Sequence, residues 1–135
     1  MTIDWTKTVT AVDKTATAQA SLRGRVNNER ARRVAAGFTL AVEGVGNVAM
    51  QGRPEDMVNL LGLFSGAQVR KSAGDTTASM VFRDGNNVNH SMTPDQMIGL
   101  YLAGATWVSS VYAAGWTMKD AATMVSNPEA DEHWP

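Results

Sequence analysis

The side chains able to do chemistry are few and scattered. His90 and His133 fall in a predicted strand and in the C-terminal segment, and neither stands at metal-ligand spacing from another His, Asp or Glu. There is no Gly-x-Ser-x-Gly and no P-loop, and the serines have no histidine at a suggestive position. The adjacent carboxylates Glu55-Asp56 and Asp131-Glu132 are explained by a helix start and by a solvated tail rather than by acid/base work. A lone Gly44-Val-Gly46 lacks the third glycine and the following helix of a dinucleotide loop. The arginines between Arg23 and Arg33 lack interleaved aromatics, and a chain of net charge −1 has no overall attraction for nucleic acid. The expectation is a protein that is not an enzyme, with no catalytic residues, no metal, no cofactor and no nucleic-acid partner.

The elements that would carry these residues read clearly. The chain has 135 residues, 44% of them apolar, enough for one hydrophobic core but not for two domains. With no cysteine there is neither a disulfide staple nor a thiolate site. No leader pattern opens the sequence, and no segment approaches the roughly 18 uninterrupted apolar residues of a membrane span.

Residues 12–36 are rich in helix formers, and Gly37 stands where a left-handed cap is expected. The seam of this helix, Val12, Thr15, Gln19, Leu22, Val26, Glu29, Arg33 and Ala36, is only half apolar, so it needs tertiary or intersubunit support, with Leu22 and Val26 covered. Phe38–Val42, a turn at 43–47 and Val48–Met50 read as a hairpin. Arg53-Pro54-Glu55-Asp56 opens a strongly apolar second helix, expected to stop at Ser65-Gly66 and to be buried on most sides, before a polar loop from Gln68 to Thr77.

A second hairpin follows, 78–83 and 87–92 around Asp84-Gly85-Asn86, with Met80, Phe82, Val88, His90 and Met92 as the set able to face the helices. Thr93-Pro94-Asp95-Gln96 is a capping box that starts a long helix running to about Lys119. Its stripes are Met97, Tyr101, Gly104, Val108 and Val111, and beside them Ile98, Leu102, Ala105, Tyr112 and Trp116. The fold class is α+β: an N-terminal helix, short β-hairpins forming a small antiparallel sheet, and a long C-terminal helix packed on it. The organisation is an N-terminal docking arm over 1–11, a single domain over 12–127, and an acidic tail over 128–135.

The ends are oppositely charged. Residues 1–37 hold Lys7, Lys14, Arg23, Arg25, Arg30, Arg32 and Arg33 against Asp4, Asp13 and Glu29, while the tail holds Glu129, Asp131 and Glu132. These are either solvated faces or ends that attract neighbouring subunits. The arm alternates Ile3, Trp5 and Val9 in a way that suits an extended segment folded back on the domain or inserted in a partner. Trp134 at the other end is either idle or an anchor. The residues expected to bind a partner are therefore Ile3, Trp5, Val9, Leu22, Val26 and Trp134.

One further pattern combines Arg32-Arg33 and Gly37-Phe38, Arg53-Pro54-x-Asp56, Phe82-Arg-Asp-Gly-Asn86, Met92-Thr93, and Tyr112-Ala-Ala-x-Trp116-x-Met-Lys119-Asp120. Over about residues 20–125 it resembles the domain of unknown function numbered 4376, a phage and prophage tail-protein domain. The resemblance implies a virion context and brings no catalytic residue with it. With few residues outside the matching segment, the expectation is a compact structural part of a tailed-phage virion, tail-fibre or baseplate associated, not a long fibre. Such a part would be assembled in the host cytoplasm, would contact other tail or baseplate proteins, and would be homo-oligomeric, with a trimer favoured. The alternatives are a tail-fibre assembly chaperone that leaves the particle, and a receptor- or glycan-binding module using Trp134 or the Asp84–Asn87 loop.

Overall fold

The computed structural model describes residues 10–135. The expected roles of Ile3, Trp5 and Val9, and most of the arm over 1–11, lie outside the described residues. The order is α1 (Ala11–Ala36), β1 (Phe38–Val42), β2 (Gly46–Met50), α2 (Pro54–Ser72), β3 (Met80–Arg83), β4 (Asn89–Met92) and α3 (Pro94–Asp120), with a 3-10 turn at Asp131–His133. The α+β class holds. The strands form two separate two-stranded antiparallel sheets, β1–β2 and β3–β4, rather than one.

Local chemistry explains the boundaries. Thr10 and Asp13 form a reciprocal capping box at the start of α1, and Thr93 and Gln96 form another at the start of α3. Gly37 ends α1 at φ +74°, and its amide donates to the Arg33 carbonyl. Any Cβ there would sit 1.6 Å from the Met50 carbonyl oxygen, so the chain reverses into β1 only with glycine at this point. The β1–β2 register pairs Phe38 with Met50 and Val42 with Gly46. The second hairpin pairs Met80 with Met92 and Phe82 with His90, and Asn87 takes its turn at φ +62°.

Two expectations about α2 fail. It does not stop at Ser65-Gly66 but runs on to Ser72, so the first part of the expected loop is helical. A helical glycine costs about 1 kcal/mol, and the full burial of Ala67 one residue later outweighs it. Nor is α2 buried on most sides: Leu60 and Ala67 face inward, while Val58, Leu61 and Val69 are exposed. Val88, one of the set able to face the helices, is exposed as well.

Two apolar cores lie along α3. The first joins Val48, Met50, Leu60, Ala67, Met80, Met92, Met97 and Leu100. Its methionines fill the irregular space where two short hairpins meet two helices. The second joins Val26 and Val34 of α1 to Val111, Met118, Met124 and Trp134. Gly24 lies in the middle of α1, with open space where a side chain would project. Gly24→Ala is therefore expected to raise stability by about 0.5–1 kcal/mol through helix propensity alone, read as a higher thermal midpoint.

Candidate functional site

The polar groups that looked most chemical bind the chain to itself. Asp84, at the end of the second hairpin's first strand, is 7% exposed. Its Oδ1 accepts from the amides of Asn86 and Val88, both at 2.9 Å, and its Oδ2 lies 2.8 Å from His90 Nε2 and 3.3 Å from the Ala49 amide that donates to it. The Gly85 amide donates to the Ala49 carbonyl at 2.9 Å, so this one turn closes its own hairpin and docks it on β2. Burial opposes the charge on Asp84, but the hydrogen bonds from His90, Val88, Ala49 and Asn86 outweigh it and hold the carboxyl well below the usual carboxylate range.

Beside this turn opens a cleft of about 270 Å³ lined by Arg53, Asp56, Asn59, Arg83, Asp84 and Asn87, among others. Arg53 Nε donates to Asp56 at 2.7 Å, and Arg83 donates to Asn89 at 3.3 Å. Within the cleft, Arg53 is thus held by Asp56, and Arg83 Nε also lies 3.5 Å from Asn87 Oδ1. Among the described residues no group of three or more His, Asp or Glu is placed to hold a metal.

The charged ends meet within one chain. Arg25 grips Glu129 with two hydrogen bonds of 2.7 and 2.6 Å, and Arg33 reaches Asp131 at 2.6 Å and the Glu129 carbonyl at 3.1 Å. The expected choice between solvated faces and attraction among subunits is replaced by an intramolecular clamp. Buried Glu29 accepts from Arg32 Nε at 2.9 Å and Arg33 Nε at 2.7 Å. The bond from Arg32 lowers the Glu29 carboxyl pKa, burial opposes that, and Arg33 adds to the lowering.

The C-terminal segment is therefore part of the domain rather than a solvated tail. Trp134 is 8% exposed, its Nε1 donates to the Pro128 carbonyl at 2.7 Å, and the Arg33 guanidinium lies 5.4 Å from its ring centroid. Trp134 and the fully buried Val26 are core residues, which corrects their assignment to a partner surface. Leu22 is partly buried against the same core. As a glycan anchor Trp134 is equally removed.

What the fold leaves uncovered lies elsewhere. Residues 10–21 of the chain, which open α1, are exposed except for Gln19, which is half-buried, and Val12 is 77% exposed. On α3, the stripe expected to widen the apolar face divides: Ile98 packs against the first core and Ala105 is half-buried, while Leu102 and Trp116 are each 53% exposed and Tyr112 is exposed. Tyr112 carries the Arg30 guanidinium 4.5 Å from its ring and packs edge-on to Trp116. The signal that could have found this face was in the letters: from Gln96 to Met118 there is no charged side chain. That run also makes α3 long and apolar enough by length and composition to cross a bilayer, correcting the reading that no segment approaches this. It passes despite its serines, threonines and glycines because no ion interrupts it, and here it packs against α1, α2 and both hairpins.

No curated protein and no solved structure matches the chain. The family model described as Domain of unknown function (DUF4376) matches residues 17–133, a span holding all three helices in whole or large part, both hairpins and the Arg25–Glu129 clamp. By that match, the chain belongs to the DUF4376 family.

Proposed function

We propose that this chain is a structural component of a tailed-phage virion, a small tail-fibre or baseplate-associated protein that acts through protein–protein contacts. The virion context comes from the family resemblance. The mode of action is supported by one observation above all: Leu102, Tyr112 and Trp116 stand exposed on the uncharged run of α3, and further exposed valines and a leucine lie on α1, α2 and the second hairpin. Depletion of charge with retained aromatics is the composition of the centre of a protein interface. The polar groups of the Asp84 turn and the Arg25–Glu129 clamp are meanwhile occupied in holding the fold. In this reading the chain is homo-oligomeric, sits in the tail after assembly in the host cytoplasm, and makes no bond-forming centre.

Quantitative mass spectrometry of purified virions tests it. A fixed number of copies per particle is the expected result. Presence in infected-cell lysate with absence from particles would replace this reading with that of an assembly chaperone, which uses the same apolar faces transiently.

A further inference from the structure

We infer that one edge of the α1–α3 seam, carrying Arg23, Arg30 and Lys119, docks an acidic segment of a partner protein. This rests on the proposed structural role only in taking the partner to be a protein, and its test needs only the purified chain. The two helices run antiparallel along this edge. Arg23 Nη1 donates to the Lys119 carbonyl at 2.8 Å, Lys119 Nζ donates to Asn27 Oδ1 at 2.8 Å, and the Arg30 guanidinium lies 4.5 Å from the centre of the Tyr112 ring. Positions 23, 27 and 30 share one stripe of α1, and 112, 116 and 119 share one stripe of α3, so the cations are strung over about 10 Å beside Tyr112 and Trp116. The aromatics that the arginine run lacks in sequence are thus supplied by the other helix.

What sets these cations apart is the missing carboxylate. The other three arginines of α1 are all paired: Arg25 with Glu129, Arg32 with Glu29, and Arg33 with both Glu29 and Asp131. Among the described residues no Asp or Glu forms an ion pair with Arg23, Arg30 or Lys119. Burial lowers the pKa of the Lys119 ammonium, the like charges of Arg30 and Arg23 lower it further, and Asp120 acts the other way. Folding has therefore gathered like charge on this edge, and a ligand that brings carboxylates relieves a repulsion as well as adding contacts.

The chain itself shows what such an edge accepts. Along the other edge of α1, Arg25 and Arg33 hold Glu129 and Asp131 of the C-terminal segment, with the Trp134 ring beneath Arg33. An acidic stretch with an apolar side chain is the polypeptide this helix already seats. The uncovered edge repeats the offer, with spaced cations and, beside them, Trp116 at 53% exposure as the apolar seat. Nucleic acid fits less well, because three cations on a chain of net charge −1 neutralise few phosphates. A sugar ring would stack on an aromatic face, and Arg30 already lies over that of Tyr112.

Binding of the purified chain to a soluble random copolymer of glutamate and tyrosine, read by fluorescence anisotropy, tests this. The copolymer is expected to bind, and raising sodium chloride from about 20 to about 200 mM should weaken binding about fivefold through screening. Arg23→Gln, Arg30→Gln and Lys119→Gln together should raise the dissociation constant about tenfold while leaving the far-ultraviolet circular dichroism in place, because no ion pair is lost. Removing the same charge at Lys14, Lys71 and Arg83 should leave it within about twofold. Absence of binding at low salt, equal weakening in the two triple variants, or tighter binding of a thymidine oligonucleotide or of oligogalacturonate than of the copolymer would overturn the inference. None of these outcomes alters the count of copies in particles, so the proposed structural role stands or falls separately.

Discussion

Trp134→Ala is expected to lower the unfolding free energy by about 3–5 kcal/mol, the range for removing a large aromatic from a packed core. The indole is 8% exposed in a cluster with Val26, Val34, Val111, Met118 and Met124. Its Nε1 is bound to the Pro128 carbonyl, and its ring covers Gly115, where an added Cβ would lie 3.8 Å from it. Truncation leaves a cavity between α1 and α3 and a carbonyl without its donor. It also removes the ring under Arg33, weakening the clamp to Asp131. Urea unfolding should show a lower midpoint, and limited proteolysis should cut after α3 in the variant long before the native chain. Trp134→Phe should lose much less, since it keeps most of the buried area. An unchanged midpoint for Trp134→Ala would show that the C-terminal segment does not belong to the core.

The second large effect belongs to Asp84. Asp84→Ala withdraws one carboxylate from three amides and a histidine at once, and buried donors left without acceptors cost about 1–3 kcal/mol each. Water can reach some of them in the adjoining cleft, so the expected loss is about 3–4 kcal/mol rather than the full sum. Both hairpins should loosen together, because the same turn carries the Gly85 bond to Ala49. The pH dependence has a definite sign. The folded-state carboxyl is held below its ordinary value, so its stabilising contribution is complete above the unfolded value of about 3.9 and is lost as pH falls below it toward the folded one. Glu29, also lowered, acts in the same direction. Stability measured from pH 6 down to pH 2 should fall steeply for the native chain and less steeply for Asp84→Asn, which keeps an acceptor but cannot titrate. Equal slopes would show that this carboxylate is not what acid attacks.

The parts of the fold legible in the letters were those decided within a few residues. The capping box at Thr93, Pro54 and Pro94 at first helical positions, and Gly37 all act on their own turn of backbone. Where a distant partner decides, the local reading erred. Gly66 reads as a helix stop until Ala67 is seen to be buried. Val58 and Leu61 read as core because hydrophobicity alone does not say which side of α2 meets α3. The oppositely charged ends read as solvated faces or as ends that attract neighbouring subunits, since contacts such as Arg25 with Glu129 join positions far apart in the chain.

By itself the amino-acid order determined the α+β class, the sequence of helices and hairpins, and most of their boundaries, because propensities, caps and turn residues are short-range physics. It also supplied an uncharged run on α3, visible without coordinates. Tertiary structure alone decided that Trp134 and Val26 face inward, that Asp84 ties two hairpins together, and that Leu102, Tyr112 and Trp116 face outward. Those outcomes depend on which helix face has a neighbour, and the neighbours here come from segments far apart along the chain, brought together only by the shared burial of apolar surface.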